Sequence, residues 1–155
     1  MATSAVPAAI DALISILRAA PALGDVEVID GPPTDDMAAA DIVTVGWQPD
    51  SAESAQLSQT FAYAGARRRD EEFVILGYLE SWTGDDSFQP RRARAFELLA
   101  LIEDAIRASN SNPEAPTLDG TVLWAEFQAG SLRQSFTDQG AKAGIAWTVA
   151  GRARI

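Results

Sequence analysis

The residues best suited to chemistry are two groups of acids. Asp30, Asp35, Asp36 and Asp41 stand close together, and Asp85 and Asp86 are adjacent. Clustered carboxylates suit a divalent cation or an acid–base pair. Neither group has the ligand spacing of a calcium loop. In a chain of net charge −10, solvated loop charge is the plainer expectation. The competing reading is a small enzyme that works with carboxylates alone. It needs two of Asp30, Asp35, Asp36, Asp85 and Asp86 to converge in a pocket.

Histidine and cysteine are both absent. Imidazole bases, thiolate nucleophiles, disulfides and the commonest zinc ligands are therefore excluded. No Gly-x-Ser-x-Gly elbow is present, and Lys142, the single lysine, lies in no Ser-x-x-Lys motif. The glycines match neither phosphate-loop pattern. These residues predict a protein that is not an enzyme and takes no cofactor or metal.

A third charged feature is Arg67-Arg68-Arg69 followed by Asp70-Glu71-Glu72. As a nucleic-acid contact it is weakened by its own acids, and the net negative charge disfavours tight duplex binding. Two readings stand level. One is an assembly contact, the basic half of one subunit meeting an acidic patch on the next. The other is a solvated strand entry whose charges discourage edge pairing. Four tryptophans are many for 155 residues. Trp147 reads as core; Trp47 and Trp82, at strand ends, read as core or as interface anchors.

The elements that must position these residues follow from periodicity. Residues 4–20 carry Val6, Ala9, Ile10, Leu13, Ile14 and Leu17 at helical spacing, with Ser4 as N-cap and Pro21 as terminator. Residues 25–30 and 42–47 read as short strands, with 34–41 as a loop or one helical turn. Residues 48–60 lack periodicity and read as a loop, and 61–65 as extended. Residues 67–82 read as a central strand, its Phe73–Leu76 run covered on both faces.

Residues 87–109 form the second long helix, with Ala93, Phe96, Leu99, Ala100, Ile102 and Ile106 on its apolar face. A strand over 121–127 continues through a bulge at Ala129–Gly130 into 132–136. The turn Asp138-Gln139-Gly140 leads into 141–155, where odd positions are apolar or small and even positions polar or small, a strand of about 50 Å at full extension. Such a hairpin could reach beyond the subunit body. The expected fold class is α+β: a mainly antiparallel β-sheet with two long helices packed on one face, in a single domain over 1–155. No apolar run is long enough to cross a membrane, and the N-terminus lacks a secretion signal pattern.

Four stretches in order resemble the tail terminator (tail completion, minor tail) proteins of long-tailed bacteriophages, especially those of actinobacteria. They are Arg67-Arg68-Arg69-Asp70-Glu71-Glu72-Phe73-Val74-Ile75, Arg92-Ala93-Arg94-Ala95-Phe96-Glu97-Leu98-Leu99, Leu118-Asp119-Gly120-Thr121-Val122, and Thr137-Asp138-Gln139-Gly140-Ala141 with the closing Ala153-Arg154. The resemblance spans residues 20–155. It implies an antiparallel sheet packed by helices, in a homo-oligomer that forms a hexameric ring. The ring sits at the head-proximal end of the tail in the virion, after synthesis in the host cytoplasm. There it would cap the tail tube protein, stop polymerisation and present a docking surface to the head connector. Genome DNA would pass through the lumen without specific binding. No reaction, cofactor or membrane is implied. A head-completion or connector protein is the neighbouring alternative.

Overall fold

A computed structural model describes residues 2–34, 41–61 and 63–155. The chain runs α1 (Val6–Ala19), β1 (Glu27–Asp30), β2 (Asp41–Val45), β3 (Ala55–Phe61), β4 (Arg69–Trp82), α2 (Phe88–Ile106), β5 (Trp124–Thr137) and β6 (Gly140–Arg154). Short 3-10 turns at Pro21–Leu23 and Ala115–Thr117 precede β1 and β5. The strands form one mixed sheet in the order β1-β2-β4-β6-β5, with β3 also on β4. Among the described residues, the β1–β2 pair is parallel and every other pair is antiparallel. The α+β class with two helices on a mainly antiparallel sheet is therefore observed. No helix among the described residues is long and apolar enough to cross a membrane.

Alternation explains the sheet. The odd residues of β6, from Ala141 through Trp147 to Ala153, are all buried, and most even ones are half-buried. Phe73, Ile75 and Leu79 of β4 share that buried side, and both helices close over it. From α1 come Val6, Ala9, Leu13 and Leu17; from α2 come Ala95, Leu98, Ile102 and Ile106. Gly77 lies opposite Trp147, and a Cβ there would overlap the indole ring. Glycine thus lets the largest core side chain lie flat across β4.

The other sheet face is more open. The 46–54 loop tucks under it, leaving and rejoining β4 at one residue: Gly46 N–H donates to Leu76 O and Leu76 N–H to Ser54 O. Trp47 meets Tyr78 edge-on, with ring centroids 5.8 Å apart. Burial pushes the Tyr78 phenol pKa up, and the Glu80 carboxylate that accepts its proton adds to the shift.

Several expectations are corrected. The 48–60 segment is a loop only in its first half, because β3 occupies Ala55–Phe61. Most β3 side chains are exposed, so no apolar alternation marks the strand. Beyond Phe61 the chain turns, with Gly65 at φ +83°. Val74 is half-buried, so the central strand is not fully covered on both faces. On α2, Ala93, Phe96 and Ala100 are exposed, and Ala95, Leu98, Ile102 and Ile106 face the core instead. Apolar residues surround most of that helix, so spacing alone did not select its inner side. Ala5, not Ser4, precedes the first helical residue.

The bulge falls between Phe127 and Ala129, and the strand begins at Trp124 rather than Thr121. The last hairpin does not extend past the body: β6 pairs with β4 from Lys142 to Arg154 and with β5 from Gly140 to Arg152. Its tip is also held, since Ala141 N–H donates to Asp85 O. Of the 34–41 stretch, 35–40 lie outside the described residues.

Candidate assembly surface

The Arg67–Glu72 block does not act as one unit, because strand pleating divides it. Glu71 points to the helix side and is fully buried. Its Oε1 accepts from Ser4 Oγ at 3.0 Å and from Ala5 N–H at 2.9 Å, while its Oε2 accepts from Gln59 Nε2. A carboxylate at the start of α1 complements the unpaired amides and positive end of the helix. Glu71 is thus a remote cap for α1. Nothing in the sequence signals this, since donor and acceptor lie 66 residues apart.

Asp70 points to the open face. It accepts from Arg154 Nε at 2.8 Å and from Arg152 Nη2 at 3.1 Å. The Arg154 hydrogen bond, followed by that of Arg152, holds its carboxyl below the usual carboxylate range against some desolvation. Arg69 is half-buried and exchanges backbone hydrogen bonds with Ile155. Glu72 is exposed on the open face. Arg67 and Arg68 are exposed beyond the Ile155 end of the sheet, and neither forms an ion pair among the described residues. Of the block, Arg67, Arg68 and Glu72 are exposed.

Trp47 and Trp82 are both half-buried, and Trp147 is fully buried. Trp124 is the most exposed of the four, at 42%. Sequence reasoning passed over it, although it opens a strand and stands opposite Arg152. The large exposed apolar side chains gather at two places. Leu57, Phe61 and Tyr63 lie on and just after β3; Leu123, Trp124, Leu132 and Phe136 lie on or just before β5, with Phe96 on α2. Among the described residues, both strands pair on one side only. By contrast β1, the third strand with a free side, has four residues and Arg18 donating twice to Val28 O, at 3.0 and 3.2 Å. A short strand covered by an arginine resists further pairing; long bare ones invite it.

Among the described residues, Asp30 stands apart from Asp85 and Asp86. Asp30 is exposed at the end of β1, level with Val45 and Gly77. Asp85, past the far end of β4, accepts from Thr83 Oγ1 and from Ser87 N–H. Asp86 is exposed, and Asp41 is paired to Arg94 at 2.8 Å. Asp35 and Asp36 lie outside the described residues. No group of three candidate metal ligands occurs among the described residues. Comparison with known protein families and with curated proteins finds no match to this chain.

Proposed function

We propose that this chain is a structural component of a phage tail, a terminator that forms a ring on the head-proximal end of the tail tube. It stops tube growth and offers a docking surface to the head connector. The observation that carries the reading is the pair of bare sheet edges at β3 and β5, each with large exposed apolar side chains. Two different open sides suit head-to-tail contacts, which form a ring where the rotation between copies closes.

The test is tube growth. Purified tail tube protein is polymerised with and without the chain, and tube lengths are measured by electron microscopy. Capped tubes with a ring at one end are expected. Tubes of unchanged length, with the chain unbound, would remove the proposal. Capture of the connector without the tube protein would move the chain to head completion instead.

A further inference from the structure

Register places the two bare edges at one level. Leu57 of β3 pairs with Phe73 of β4, Phe73 with Gly151 of β6, and Gly151 with Ala125 of β5. Direction is also matched. β3 runs against β4, β4 against β6, and β6 against β5. Rotation about an axis along the strands therefore sets β3 of one copy antiparallel to β5 of the next, without a shift in level.

Side chains match as well. Leu57 and Phe61 share the helix-covered side of the sheet with their partners Phe73 and Arg69. On that side, at the start of β5, a cavity of about 380 Å³ is lined by Ile106, Pro116 and Phe127, with Glu103 and Arg107 beside them. Arg67 and Arg68 lie just past the Ile155 end on the β3 side.

We propose that β3 of one copy adds to the free edge of β5 of a second copy, seating Leu57 or Phe61 in the Ile106–Phe127 cavity. Backbone pairing supplies affinity, and the alternate side chains supply register. The contact is heterologous and consumes both bare edges of every copy. A two-fold β5–β5 pairing would leave both β3 edges open. This inference deepens the ring reading and rests on it only for closure.

The absence of native cysteine makes a direct test simple. Gln56 pairs with Val74, Val74 with Ala150, and Ala150 with Glu126, so positions 56 and 126 share a level on the open face. Gln56→Cys and Glu126→Cys chains are made separately, mixed and oxidised, both free and with tail tubes. Disulfide-linked pairs joining the two different variants are expected, because neighbouring antiparallel strands bring such Cα atoms within bonding reach.

Linkage between two Glu126→Cys chains alone would assign the two-fold pairing and overturn the proposal. Absence of mixed linkage in both conditions would also overturn it. Mixed linkage with uncapped tubes would leave the contact standing and remove the tail reading. Capped tubes without mixed linkage would do the reverse.

Discussion

β6 and β3 both pair with β4, yet they are opposite kinds of strand. β6 has neighbours on both sides and a buried residue at every odd position from Ala141 to Ala153. β3 has one neighbour, and its seven residues are mostly exposed. The first is held by its core contacts. The second is held by backbone pairing and by the Gln59–Glu71 hydrogen bond, with two large apolar side chains turned outward. The difference separates what folds the chain from what stays exposed on its surface. Substitutions in β6 should cost stability, whereas those in β3 should cost assembly.

The sharpest way to break that contrast is in the core. Trp147→Ala empties the volume above Gly77 and should destabilise by about 3–5 kcal/mol, read by chemical denaturation. Gly77→Ala approaches the same contact from below and should cost about 1–3 kcal/mol by overpacking. If either variant unfolded at the parent midpoint, the core account of β6 would fail.

Glu71→Ala comes next. It strips the remote cap and leaves the Ala5 amide and Ser4 hydroxyl without their acceptor, a loss of about 1–3 kcal/mol. Amide exchange should quicken first at the start of α1, while the middle of β6 keeps its protection. On β3, Leu57→Ser should change stability by less than about 0.5 kcal/mol, since the side chain is half-exposed. It should nevertheless reduce the fraction of assembled chain seen by light scattering. A large stability loss without an assembly defect would reverse the roles assigned to the two strands.

The smallest expected effect is pH-dependent. Asp70 has a lowered pKa in the folded chain, chiefly through Arg154. A lowered folded value means the carboxylate adds stability above its unfolded pKa of about 3.9, and the addition is lost as pH falls through the folded value. Asp70→Asn should therefore melt below the parent at neutral pH, and the two curves should converge in acid. A gap that persists unchanged in acid would remove the linkage.

The same contrast explains what could be read from the sequence. The helix pattern of 4–20 and the alternation of 141–155 were legible because burial selects apolar residues at a fixed period. β3 was not, because an edge strand with little burial leaves no such period. The inner side of α2 was obscured for the opposite reason: apolar residues occur around most of its circumference, and Arg94 sits inward to reach Asp41. Glu71 and Asp70 looked like neighbours in one charged run, yet the pleat sends them to opposite faces. Trp124 was passed over because exposure at a sheet edge depends on strand order, which local pattern does not carry.

The central claim is that copies of this chain join through different surfaces into a closed ring. Native mass measurement over a concentration series, with and without tail tubes, tests it most directly. The account predicts a discrete species at the mass of a hexamer, free or released from the tubes, and its loss in Leu57→Ser. A chain that stays at single-copy mass at every concentration and beside its tubes would contradict it.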